Sequence, residues 1–222
     1  KLYTIFNGIP EEHLPSEQDK TKNITGKNIL FMGHGPGENR LWYKGLDIMI
    51  SAFQLAFKRD PELTFTIAGH WNSEVISELL IPLDDKTKKA IKFVGSTTDL
   101  GQFTREASLY LHCARGEAYG ITILIALASG IPSIVSVWTG AKEIIEKIDK
   151  QLVSPLNEEI IADKITWYFQ LSKDEKEQLY YKSIATVEQY TEENAIAFYR
   201  ETFSKIISDF KIDAKNYSGS ND

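Results

Sequence analysis

A single cysteine, Cys113, stands in the whole chain, so no disulfide can form within it and a reducing compartment, the cytoplasm, is expected. The four histidines are scattered, and no Asp-x-Asp pair sits at a strand end. No metal-ligand spacing is therefore visible, and His112, in mid-strand, reads as a satisfied core residue. No apolar run approaches the roughly 20 residues that cross a bilayer, and no signal peptide is expected. Positive charge is in deficit: 25 Lys and Arg against 31 Asp and Glu leave a formal net charge of -6. That argues against a general nucleic-acid binder, while leaving room for a local basic site for phosphate.

What is present fits a globular protein, with 42% hydrophobic and 25% charged residues in 222. That length holds one α/β domain or two small ones around a sizeable core. The chain opens on Lys1, in what reads as a linker, so it is expected to be part of a longer protein. Residues 1–27 form this linker and lead-in, with a strand-like LYTIF and a turn at Asn7-Gly8-Ile9-Pro10. From Asn28 to about Leu171 apolar strands alternate with helices: NILFM, LTFTIA, IKFVG, LYLHC and SIVSV are the strands. Strands that read as continuous apolar runs belong to a parallel sheet covered on both faces. The fold class is thus α/β, a doubly wound, Rossmann-like parallel sheet, with ligands at the carboxyl ends of the strands. Helices capped by Asn157, by Ser172 with Glu175, and by Thr191 follow. The body ends near residue 212, and the polar residues 213–222 read as a disordered tail.

The most informative stretch runs from Leu109 to Gly130. A buried strand enters a turn carrying Arg115, Gly116 and Glu117, and Gly120 then opens an apolar helix. Free backbone N–H groups and the positive end of the helix dipole favour an anion at such a turn. Glu117 can accept hydrogen bonds from hydroxyls in the same place. Phosphate and hydroxyls together suit a nucleotide sugar, although an ordinary β–α turn with a surface glutamate has the same spacing. The Gly33, Gly69, Gly95 and Glu117 turns all lie at carboxyl strand ends and are expected to converge on one crevice.

Several motifs, taken in order, resemble the C-terminal, donor-binding domain of family-4 glycosyltransferases of the two-domain GT-B fold. They are Asn7-Gly8-Ile9, Tyr43-Lys44-Gly45-Leu46-Asp47, Thr66 to Gly69, Phe93-Val94-Gly95, Glu117-Ala118-Tyr119-Gly120, Ala126 to Pro132, Thr139 to Ile145, and Tyr190-Thr191 with Ala195 to Tyr199. The resemblance implies that 28–212 is a nucleotide-sugar-binding domain with closing helices. Sugar would pass from a nucleoside-diphosphate sugar with retention at the anomeric carbon and without a metal or other cofactor. An N-terminal acceptor-binding half would precede it, with peripheral membrane association through that half.

Carried over residue by residue, the resemblance makes Glu117 the catalytic residue beside the sugar hydroxyls. Lys44 serves the diphosphate as a point charge. His34, after Gly33, stands where the family usually has Arg, and Arg40 on the same loop is a candidate to compensate. The amides of Gly120, Ile121 and Thr122 meet the diphosphate or leaving group, Tyr119 is a further nucleotide-sugar-binding residue, and Ser96 and Thr97 lie near the base and ribose. The family's second glutamate, eight positions after the first, is Ile125 here. An isoleucine accepts no ribose hydroxyl, and losing a charged acceptor costs roughly 1.5–3 kcal/mol; Thr122, one turn earlier, offers one hydroxyl. Two other readings stay open. One is a non-catalytic nucleotide-binding or regulatory module with a degenerate donor site, favoured by His34 and Ile125. The other is a different nucleotide-sugar enzyme on a similar fold, such as a 2-epimerase.

Overall fold

The computed structural model describes residues 3, 5–18, 20, 23–35, 38–96 and 99–218. The chain divides into two compact units, 14–188 and the pairing of 1–13 with 189–222. The sequence reading drew its lines instead after 27 and after 212.

The larger unit is built on six parallel strands among the described residues: β1 (Asn28–Met32), β2 (Thr64–Ala68), β3 (Ile91–Phe93), β4 (Leu109–His112), β5 (Ser133–Ser136) and β6 (Val153–Ser154). Their order in the sheet is β3-β2-β1-β4-β5-β6. The central strands are mostly apolar because both sheet faces are covered, and Ile29, Leu30, Phe31, Leu109, Tyr110 and Leu111 are fully buried. Register follows from that burial: Phe31 faces Ile67, and Ile29 faces Leu109.

Helix α1 (Glu38–Tyr43) and α2 (Leu46–Arg59) follow β1; α3 (Ser73–Leu80) and α4 (Asp85–Ala90) follow β2. Then come α5 (Gly101–Glu106), α6 (Ile121–Ala128), α7 (Lys142–Ile148), α8 (Glu158–Gln170), α9 (Lys173–Val187) and α10 (Glu192–Ser218). From β1 the chain winds outward through β2 to β3, and from β4 it winds the other way. With right-handed crossovers this reversal sets α2 and α6 on opposite faces of the sheet. Helix α8 packs beside α2, and α9 covers α6 and α7. Between β1 and β4 the loops leaving the carboxyl ends diverge, which opens a crevice at the switch point.

The expected caps form. Asn157 accepts from Ile160 N–H, Ser172 and Glu175 make a reciprocal capping box, and Thr191 accepts from Asn194 N–H. Helices α1 and α4 were not read from the sequence. Helix α4, DKTKKA, has almost no apolar face and is started by Asp84, which accepts from the Lys86 and Thr87 amides. In the smaller unit the described residues of LYTIF form no strand; Ile9 instead bridges Thr191. There Phe6 stacks on Phe198, with ring centroids 5.3 Å apart. Helix α10 continues to Ser218, past the end expected from its apolar residues. Adding a residue to a formed helix costs far less than nucleating one, so polar residues extend it.

Candidate functional site

The site begins at a corner between α1 and α2. Gly45 ends α1 and caps α2 with φ +70°, a left-handed conformation that costs a residue with a Cβ. A Cβ there would lie 2.0 Å from the Cys113 carbonyl oxygen. Glycine thus lets the corner sit directly on the end of β4, which places Lys44 over the crevice.

Arg115 fastens the same contact. Its N–H donates to the Tyr43 carbonyl at 2.9 Å. Its guanidinium donates to both carboxylate oxygens of Asp47 at 2.7 Å and to the Trp42 carbonyl at 2.6 Å. It also lies 4.6 Å over the Trp42 ring. A bidentate guanidinium fixes orientation as well as distance, so the β4–α6 turn is held against the start of α2.

Glu117 is held from the other side by the loop after β5. Its N–H donates to the Trp138 carbonyl at 3.2 Å, and its carbonyl accepts from Gly140 N–H at 2.8 Å. The carboxylate thereby meets the Lys44 ammonium in a direct ion pair, with both side chains only 15% exposed. His112 approaches from beneath, its Nε2 3.4 Å from the same carboxylate oxygen and otherwise without a hydrogen-bond partner. That contact is long for a hydrogen bond and is mainly electrostatic.

His112 and then Lys44 hold the Glu117 carboxyl at about 2, well below its ordinary 4.5, against the opposing effect of burial. Burial keeps His112 neutral by lowering its own value. A depressed carboxyl stabilises the fold fully above its unfolded value of 4.5, and that contribution disappears as pH falls toward about 2. Between pH 6 and pH 2.5 the wild type is expected to lose about 2 kcal/mol more than Glu117→Gln in urea unfolding. Equal losses in the two proteins would show that the carboxylate contributes nothing.

Beneath this pair lies a buried polar network. The Tyr110 hydroxyl stands 3.0 Å from Thr122 Oγ1, 3.1 Å from the Met32 carbonyl and 3.3 Å from His112 Nδ1. Its one proton serves one of these at a time. Burial pushes the phenol far above its ordinary value, so it remains a neutral hydroxyl.

Thr122 also lines a cleft of about 200 Å³ together with Gly33, His34, Gly69 and Ser96. Backbone pairing of Gly69 with Gly95 draws the β2 and β3 ends to it. Gly120, with φ +85°, opens α6 without a side-chain cap. The first backbone bond of that helix is made by the Ile123 N–H to the Gly120 carbonyl. The amides of Ile121 and Thr122 precede it and belong to the unsatisfied first turn.

The residues expected from the sequence are thus gathered in two adjoining groups. Lys44 and Glu117 touch, and Gly33, His34, Ser96 and Thr122 share the cleft. Arg40 is exposed on α1, with its stem beside Gly35. Tyr119 and Ile121 are half-buried on either side of Gly120, and Thr97 lies outside the described residues. Ile125 is 4% exposed inside α6 and belongs to the core. The sequence reading passed over Arg115 and took His112 for a satisfied core residue. The available signal was Tyr110 and His112, two positions apart and so on one strand face, just before a turn with a carboxylate. Among the described residues no three His, Cys, Asp or Glu side chains gather into a metal-ligating set, and no helix is long and apolar enough to cross a membrane.

Comparisons with known proteins bear on this arrangement. The sequence model for glycosyl transferases group 1 matches residues 26–170. An uncharacterized glycosyltransferase of Haemophilus influenzae is 25% identical over 139 residues, 62% of this chain and 37% of that protein. Mannosylfructose-phosphate synthase of Agrobacterium fabrum is 30% identical over 106 residues, 44% of this chain and 23% of that one. The matches thus span well under half of these relatives. Among solved structures, a mutant of S. aureus TarM in complex with fondaparinux, alpha-GlcNAc-glycerol and UDP superposes with a TM-score of 0.74 at 20% identity, covering 90% of this chain and 39% of TarM. Anabaena HepE in complex with UDP and glucose gives 0.73 at 19% identity, covering 90% of this chain and 56% of HepE. At those identities the likeness establishes the fold, that of the GT-B C-terminal domain. With the sequence model matched across the whole central sheet and on through α8, the chain belongs to the glycosyl transferases group 1 family.

Proposed function

We propose that this chain is the donor-binding part of a retaining, metal-independent glycosyltransferase of family 4 that uses a nucleoside-diphosphate sugar. The observation that carries the reading is the meeting of the Lys44 ammonium and the Glu117 carboxylate at the β1/β4 switch point, next to the Thr122 cleft. The nucleoside enters that cleft beside His34 and Ser96. The diphosphate reaches Lys44 and the Ile121 and Thr122 amides, and the sugar hydroxyls donate to Glu117. As the bond from the anomeric carbon to the diphosphate oxygen breaks, its electron pair stays on the departing phosphate. Lys44 and the helix amides stabilise that developing charge. The acceptor hydroxyl, supplied from an N-terminal half that would also carry any peripheral membrane attachment, bonds through its oxygen to the same face of the sugar, and its proton passes to the departing phosphate oxygen. The single buried Cys113 suits action in the cytoplasm. HepE and TarM were each solved with UDP, which makes UDP the first nucleotide to test.

Calorimetry with UDP and GDP tests the reading. Saturable binding of one of them at micromolar to millimolar concentration is expected; no heat from either at millimolar ligand would refute it. A second reading, a binding or regulatory module, is favoured by Ile125, which leaves α6 without the expected ribose acceptor. Under the first reading this chain alone transfers little or no sugar, and regains transfer only with its acceptor half. Binding without transfer even then would favour the module.

A further inference from the structure

We propose that His112 is the positioning residue for Glu117, holding its carboxylate ready for the sugar once Lys44 has left it for the diphosphate. The inference rests on the donor reading above and adds to it a residue that meets neither nucleotide nor sugar. In the ligand-free protein Lys44 and His112 are the side chains brought to the Glu117 carboxylate. Lys44 has a second task, since a diphosphate above the crevice attracts the same ammonium. When Lys44 turns to it, Glu117 loses the cation of its ion pair. A carboxylate that is 15% exposed and unpaired either swings away or takes up a proton. Either response would remove the acceptor that the sugar hydroxyls need.

His112 is built to prevent this. Its side chain is 1% exposed and belongs to β4, a rigid central strand. Its ring meets Phe31 edge to face at 5.2 Å, and the Tyr110 hydroxyl stands 3.3 Å from Nδ1. The ring therefore has one orientation, with Nε2 3.4 Å from the Glu117 carboxylate, a contact that closes to a hydrogen bond once Lys44 has left. A lone pair on Nε2 would repel the carboxylate, so the proton sits on Nε2 and Nδ1 accepts from Tyr110. The imidazole stays neutral through burial. It orients the carboxylate without cancelling the negative charge that accepts sugar hydroxyls.

The test uses the full chain, with UDP, UDP-glucose and UDP-N-acetylglucosamine as calorimetric probes. The readout is how much more tightly the better of the two sugar nucleotides binds than UDP alone. In His112→Leu this advantage is expected to fall about tenfold, the worth of one hydrogen bond to a charged acceptor, while UDP affinity stays within about twofold. His112→Gln, whose amide nitrogen can occupy the Nε2 position, is expected to restore it. Should His112→Leu fail to fold, His112→Asn replaces it, since its shorter amide reaches only the Nδ1 position. An unchanged advantage, an equal loss for UDP and its sugars, or no rescue by glutamine would overturn the inference and leave the donor reading standing. No binding of UDP by the wild type would end both. Nitrogen NMR of the ligand-free protein gives an independent check: the His112 proton is expected on Nε2, and a proton on Nδ1 would overturn the inference.

Discussion

Replacing Lys44 with alanine is expected to weaken UDP binding about a hundredfold and to destabilise the fold by about 2 kcal/mol. The two losses have different origins. Binding falls because an ammonium facing phosphate oxygens makes charge-assisted hydrogen bonds worth about 1.5–3 kcal/mol each, and the helix amides alone do not replace them. Stability falls because the Glu117 carboxylate, only 15% exposed, is left without its cation. Breaking one side of a buried pair usually costs about 3–5 kcal/mol, and the partial exposure here reduces that. The double variant Lys44→Ala with Glu117→Gln separates them. Without the orphaned charge it should regain most of the stability, while UDP binding stays weak. Calorimetry with UDP and urea unfolding, run on the wild type, Lys44→Ala, Glu117→Gln and the double variant, read both quantities. If Lys44→Ala lost stability but bound UDP as tightly as the wild type, Lys44 would be a structural partner of Glu117 and nothing more.

The sheet was legible because its strands are continuous apolar runs ending in glycine or polar turns, as in NILFM-Gly33 and LTFTIA-Gly69. A strand buried on both faces needs no partner to be recognised. The place of the Glu117 turn at that edge followed from the same pattern, since carboxyl ends of neighbouring parallel strands lie together, whereas Lys44 was marked by the resemblance to the family's Lys-Gly motif. What the pattern withheld was contact between residues far apart in the chain. The bidentate pair between Arg115 and Asp47 joins positions 68 apart. Its existence depends on how tightly the Gly45 corner sits on β4, which no local periodicity encodes. Helix α4 was missed for the opposite reason: a short polar helix held by one cap has almost no apolar stripe to read. His112 was misjudged because its burial was legible and its satisfaction was taken to follow from burial, whereas Nε2 has no hydrogen-bond partner. A strand position predicts that a side chain is inside, and not which of its nitrogens finds a partner.

Gly45→Ala is expected to be the most damaging single substitution at the site, costing about 4 kcal/mol or more. The left-handed φ of +70° alone costs an alanine about 1–2 kcal/mol. The added Cβ would also stand 2.0 Å from the Cys113 carbonyl oxygen and 2.9 Å from its carbon. Those are backbone atoms at the end of a central strand, so the clash cannot be relieved by a rotamer change. The corner has to lift off β4. Lifting it pulls Lys44 from Glu117 and strains the Arg115–Asp47 pair, because both contacts cross the same seam. Domains of this size are stable by about 5–15 kcal/mol, so the variant should either unfold or survive with a much lower midpoint in urea. If it survives, UDP binding should be lost with the fold still present by circular dichroism, because the seam that places Lys44 has opened. A Gly45→Ala protein with wild-type stability and wild-type UDP affinity would mean that Lys44 owes its place to something other than the close approach of this corner to β4.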